Sequence, residues 1–111
     1  MNAGSLTRRI QIERVSETPD GFGGFDQTWT PLGAPIFARR RDVSDQERVS
    51  AARFENKLVT RFVIRASSFA RGIRRLDRLV HEGITYEIDG IKEWPDSRAF
   101  LEITAVTEDS L

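Results

Sequence analysis

Few residues in this chain could do chemistry. His81 is the only histidine, and there is no cysteine. Thiol catalysis, thiolate metal sites and disulfides are therefore excluded, and a zinc or iron site would rest on one imidazole. A serine–histidine pair would have to use His81. The alternation around it places His81 at the end of a strand hairpin, opposite Ile84, where a structural or exposed histidine is the simpler reading. Carboxylate pairs for acid–base work could be drawn from Glu82 and Glu87, or from Glu93 and Asp96. Charges at hairpin ends more often face water. Asp20, Asp26 and Asp45 lack the spacing of a calcium or magnesium loop. Gly21-Phe22-Gly23-Gly24 follows a strand, but it opens no helix and lacks the lysine and hydroxyl of a phosphate-binding loop. It reads as a mobile hairpin tip. No catalytic residue, metal ligand or cofactor is expected.

Charge narrows the partners. Lysine plus arginine equals aspartate plus glutamate, 17 of each, so no global field draws the chain to nucleic acid or a membrane. Only Lys57 and Lys92 are lysines; the other basic residues are arginines. Arginine suits bidentate contacts and interfaces, although a genome-wide composition bias would give the same count. Local basic clusters occur at Arg39-Arg40-Arg41 and at Arg71, Arg74, Arg75 and Arg78. Small β-barrels bind single strands with basic grooves and aromatic platforms, and Phe37 and Trp29 could stack bases. Strand alternation, however, sends Arg40 to the face opposite Arg39 and Arg41. Core packing is the commoner fate of such aromatics.

The elements that must position these residues are mostly strands. At 111 residues a single domain, 1–111, is expected. Residues 1–7 read as a flexible arm without the apolar core of a leader, and no apolar run reaches membrane-spanning length. A soluble protein made in the cytoplasm is expected. Strands are predicted over 8–15, 25–30, 36–42 and 58–65, with a long hairpin loop over 16–24. Residues 58–65 alternate, Leu58, Thr60, Phe62 and Ile64 facing one way and Val59, Arg61, Val63 and Arg65 the other. A tight hairpin turns at Glu82-Gly83. Its register places His81 opposite Ile84, Leu79 opposite Tyr86 and Arg78 opposite Glu87, and a one-residue slip would scatter the apolar face. Residues 90–94 continue or resume that strand. Residues 98–106 carry apolar residues on both faces, so cover on both sides is expected, and residues 107–111 form a polar tail. Ile10, Ile12, Phe62, Ile64, Leu79, Ile84, Tyr86, Ile88, Leu101 and Ile103 are the expected core. One stretch differs. Ser44-Asp45-Gln46-Glu47 matches a capping box, and a short helix with a thin apolar stripe is expected over 44–56. The fold class is mainly β: a small antiparallel barrel or sandwich of six to seven strands, with one short helix in a long inter-strand connection.

The order of these features resembles the head–tail joining, or head-closure, proteins of long-tailed bacteriophages and phage-derived particles. The resemblance runs nearly end to end. It is carried by Ala3-Gly4-Ser5-Leu6-Thr7-Arg8-Arg9-Ile10, by Asp20-Gly21-Phe22-Gly23-Gly24 followed by Trp29, and by Phe37-Ala38-Arg39 before Glu47 and Ala51. The run from Thr60 to Arg65, the stretch around Ile73, Asp77 and Gly83-Ile84-Thr85-Tyr86-Glu87-Ile88, and the closing Arg98-Ala99-Phe100-Leu101-Glu102-Ile103 complete it. Phe37 stands where such proteins often carry tryptophan. The resemblance implies a non-catalytic virion protein at the head–tail interface. It implies a homo-oligomeric ring, a hexamer in preference to a dodecamer, with portal or adaptor proteins on the head side and tail-terminator or tail proteins on the other. DNA would pass through the channel without sequence-specific binding. The connection over 42–57 would then face a neighbouring subunit or the channel through Asp45, Glu47, Arg48, Arg53, Glu55 and Lys57. The hairpin loop Asp20, Gly21, Phe22, Gly23 and Gly24 would meet a partner. The alternative is a small nucleic-acid-binding barrel acting as a monomer.

Overall fold

The computed structural model describes residues 3–42, 57–95 and 97–108. The helix expected over 44–56, with Asp45, Glu47, Arg48, Arg53 and Glu55, lies outside the described residues. Among the described residues seven antiparallel strands form one sheet: β1 (Arg8–Pro19), β2 (Phe25–Pro31), β3 (Ile36–Asp42), β4 (Lys57–Arg65), β5 (Arg78–His81), β6 (Ile84–Glu93) and β7 (Phe100–Glu108). The strand order is β2-β1-β3-β4-β7-β6-β5, and β1 also pairs with β5. Six strands therefore close into a barrel-like ring, with β2 outside it. A short helix, α1 (Ser68–Arg71), joins β4 to β5. Ser67 caps it, its hydroxyl oxygen accepting from the Ala70 N–H at 3.0 Å. Among the described residues no helix is long and apolar enough to cross a membrane.

Period-two alternation builds the core. Ile10, Ile12, Phe62, Ile64, Leu79, Tyr86, Ile88, Leu101 and Ile103 are buried in one cluster. The β5–β6 register is the expected one, with Arg78 opposite Glu87, Leu79 opposite Tyr86 and His81 opposite Ile84. Glu82 and Gly83 both adopt positive φ, 52° and 79°, as a two-residue turn of this hand requires. Strand β6 is continuous through residues 90–93, with a register shift between Ile88 and Gly90. That shift lets it stay paired with β7.

Four expectations need correction. Ile84 is 46% exposed, not buried. It is on the core side by alternation, but it sits beside the turn with only His81 of β5 opposite it, and β7 runs alongside β6 only from Glu87 onward. Strand β1 runs on to Pro19, so the loop expected over 16–24 shrinks to residues 20–24. Ser16, Glu17 and Thr18 pair with Thr28, Gln27 and Asp26, and the ladder outlasts the apolar pattern. Thr107 and Glu108, expected in the tail, continue β7 because Leu58 and Lys57 lie opposite them. At the other end, Leu6 is buried with Val63 and Phe100 in a second, outer cluster. It thus covers the outer face of β4 and β7, as the apolar residues on both faces of β7 require.

Phe62 sits at the centre of the core, fully buried, with the rings of His81 and Tyr86 edge-on at 5.3 and 5.5 Å. Phe62→Ala is expected to cost about 3–5 kcal/mol in urea unfolding. A loss under about 1 kcal/mol would mean that this ring does not centre the core.

Candidate interaction sites

Where the sequence places a histidine at a hairpin end, the structure buries it. His81 is 2% exposed, and its Nδ1 lies 3.2 Å from the carbonyl oxygen of Arg9. A carbonyl only accepts, so this contact needs the proton on Nδ1. Nε2 is buried without a hydrogen bond among the described residues. Among the described residues no serine or carboxylate is arranged with it as a triad; Glu82 lies 3.8 Å from Nε2 and is largely exposed. Among the described residues no group of histidine and acidic side chains could hold a metal ion.

The most prominent surface feature is the β1–β2 hairpin. Beyond Glu13, β1 leaves β5 and pairs with β2 alone, ending at Pro19 opposite Phe25. The tip is ordered by its own aspartate. Asp20 Oδ1 accepts from the N–H groups of Phe22 (2.7 Å) and Gly24 (3.1 Å), and the Asp20 N–H donates to the Gly24 carbonyl at 3.1 Å. Gly21 and Gly23 take φ of 85° and 86°, which glycine adopts without strain. This arrangement leaves Phe22 94% exposed and Phe25 63% exposed. The five residues singled out at this loop are thus gathered on one projecting tip. At its base, Trp29 lies half-buried with the Arg78 guanidinium 4.2 Å from its ring centre. Arg78 in turn donates from Nε to Glu13 Oε1 at 2.7 Å.

Three carboxylates that the sequence does not advertise organise the arginines. Glu102, in the middle of β7, is buried, and cations from three other strands surround it: Arg41 Nη2 at 3.2 Å, Lys92 Nζ at 3.6 Å and Arg61 Nε at 3.9 Å. Arg41 and Arg61 are register partners on β3 and β4. Like charges so placed repel, and the shared carboxylate offsets that. Arg40 points to the opposite face and pairs with Asp42 at 3.1 Å, so the arginine triple is split as alternation requires. Phe37 and Trp29 are not core residues, but each ring carries an arginine, Arg9 standing 4.8 Å from the Phe37 ring centre. Of the six charged residues singled out in the long connection, only Lys57 is described, where it opens β4 opposite Glu108.

Asp77 is the second such carboxylate, 3% exposed, and Glu13 beside Arg78 is the third. Arg14 grips both oxygens of Asp77, Nε to Oδ1 at 2.8 Å and Nη2 to Oδ2 at 2.9 Å, and the Arg74 N–H donates to Oδ2 at 2.8 Å. Burial alone would raise the Asp77 carboxyl. The hydrogen bonds from Arg14 and Arg74 and their positive charges together outweigh it, and the carboxyl is held below its ordinary value. A lowered folded-state pKa adds stability that is complete above the unfolded value of about 4 and is lost as pH falls through the folded one. Asp77→Asn is expected to cost about 1–3 kcal/mol at neutral pH. The gap to wild type should narrow once pH drops below about 4 in urea titrations. A gap independent of pH would mean that the carboxylate charge is not what Arg14 holds.

Comparison with known proteins agrees with this architecture. The solution structure of protein SF1141 from Shigella flexneri 2a is similar over 99% of this chain and 98% of that one, with a TM-score of 0.72 and 26% identity. A chain from the virion of a native gene transfer agent particle is similar over 93% of this chain and 94% of that one, with a TM-score of 0.63 and 21% identity. No curated protein matches. The family model described as phage head completion protein spans residues 1–108: the chain belongs to the phage head completion proteins, virion components of phage-type particles.

Proposed function

We propose that the chain forms a ring at the head–tail interface, a hexamer in preference to a dodecamer. The ring extends the DNA channel below portal or adaptor proteins, retains the packaged DNA and presents a docking surface to the tail. The observation that carries this reading is family membership over residues 1–108. The similar chain in a gene transfer agent virion supports it, and so does the hairpin that projects Phe22 and Phe25 from the closed sheet. Zero net charge suits a channel wall along which DNA slides. The connection over 42–57 faces a neighbour or the channel, with Asp45, Glu47, Arg48, Arg53, Glu55 and Lys57 making charge-complementary contacts between copies.

Particles made without this chain are expected to be filled heads that lack tails and lose DNA, and adding the purified protein should restore tail attachment. Tailed, DNA-retaining particles in its absence, seen by electron microscopy, would sink the proposal. Reversing charge at Arg48 and Arg53 together is expected to weaken ring formation and leave the thermal unfolding midpoint unchanged. Intact rings from that variant would remove the connection from the interface.

A further inference from the structure

We propose that the hairpin tip of one copy seats Phe22 in an apolar cavity at the far end of the next copy, so that subunits join front to back. This contact rests on the ring reading above and names the surfaces that would make the ring. Phe22 and Phe25 are exposed aromatics on a tip that Asp20 holds in one conformation. Such a knob gains by entering an apolar site, and its preset shape lowers the entropic cost of docking.

The same chain carries a hole for it. A cavity of about 360 Å³ is lined by Leu6, Pro35, Ile36, Phe37, Ile64 and Arg65. A phenyl ring fits easily, since an apolar cavity of about 150 Å³ already accepts benzene. The charges also match. Residues 15–31 contain Glu17, Asp20 and Asp26 and no basic residue. At the cavity, Arg65 is in the wall, Arg9 stands over Phe37, and Arg39 follows two residues along the same face of β3. An acidic tip meets a basic rim, which orients the approach and disfavours tip-to-tip pairing.

The tip cannot reach its own cavity. Ile10 pairs with Ile36 at the cavity end of β1, and the tip begins ten residues further along. At roughly 3.3 Å per residue the two lie about 30 Å apart. Strand β1 is paired on both edges at its base, with β3 and with β5, so it does not fold back. The occupant is therefore another molecule, and a second copy supplies both the aromatic knob and the negative charge. A contact between two different surfaces of one chain propagates head to tail and closes when the rotation per step divides a full turn.

Because the chain has no cysteine, single thiols can be placed without background from its other copies. Thr18→Cys lies beside the tip and Ala34→Cys beside the cavity, both exposed and both sparing Phe22 and Phe37. Assembled particles carrying an equal mixture of the two variants would be treated with a short bifunctional maleimide. Cross-linked dimers are expected from the mixture and not from either variant alone. Phe22→Asp should abolish them. Arg65→Asp should reduce them on the order of tenfold, with partial recovery on adding Asp26→Arg. Several copies per particle by mass, with no cross-link in the mixture, would overturn the contact and leave the ring standing. Cross-linking of Thr18→Cys to itself, or of Ala34→Cys to a head- or tail-side protein, would also overturn it. A single copy per particle would overturn contact and ring together.

Discussion

Strand β1 must satisfy three partners along a single run of twelve residues. Its first residues, Arg8 to Ile10, pair with β3; the next, Gln11 to Glu13, pair with β5; from Glu13 to Pro19 it pairs with β2. The register of each pairing fixes the others, because a slip by one residue would turn Ile10 and Ile12 away from the core. Both are 1% exposed. The β1–β5 pairing closes the sheet and removes two of its edges. Closure is also what encloses Phe62, Leu79 and Ile103 on all sides. Strand β2 reuses the edge of β1 that β3 has left, so the hairpin can project without opening the ring.

The charge pattern follows from the same closed geometry. In a sheet covered on both faces, a mid-strand acid such as Glu102 has no water to turn to and must be paired. Cations reach it from β3, β4 and β6. Arg14 contributes what a lysine could not, a planar fork on both oxygens of Asp77 with a further bond from Nη2 to the Gly72 carbonyl at 3.0 Å. The excess of arginine over lysine therefore has structural uses, at Asp77 and at Glu102. Zero net charge conceals a chain in which acids and bases are sorted by position.

How much of this was legible in the sequence depends on how local the signal is. The β5–β6 register was readable because two independent groupings, the apolar face and the Arg78–Glu87 pair, agreed on one alignment. The alternation of 58–65 located Phe62 and Ile64 correctly. Ile84 was misplaced because alternation gives the face a residue is on and not how far the neighbouring strands extend beside it. The length of β1 was hidden because Ser16, Glu17 and Thr18 are polar, and their pairing with β2 is held by backbone hydrogen bonds that do not depend on side-chain polarity. Glu102 and Asp77 were missed for a related reason. Arg41, which pairs with Glu102, and Arg14, which pairs with Asp77, are 61 and 63 residues away in sequence, and only the apolar flanks of Glu102 hinted that a charge there needed company. Aspartate and glycine so spaced mark residues 20–24 as a hairpin tip, but the two bonds that Asp20 accepts from Phe22 and Gly24 were not legible.

The three pairings of β1 also set how the molecule bears load. A pull at the hairpin tip directed along β1 stresses its hydrogen bonds to β3 and β5 side by side, so they must yield together. The same pull applied across the strand would part the pairs of β2 from the tip inward, one after another. The outer hairpin can therefore peel while the ring beneath it stays closed. A subunit held in an assembly by that tip is stiff along one axis and compliant across it, in the manner of a spoke that transmits tension and tolerates flexing.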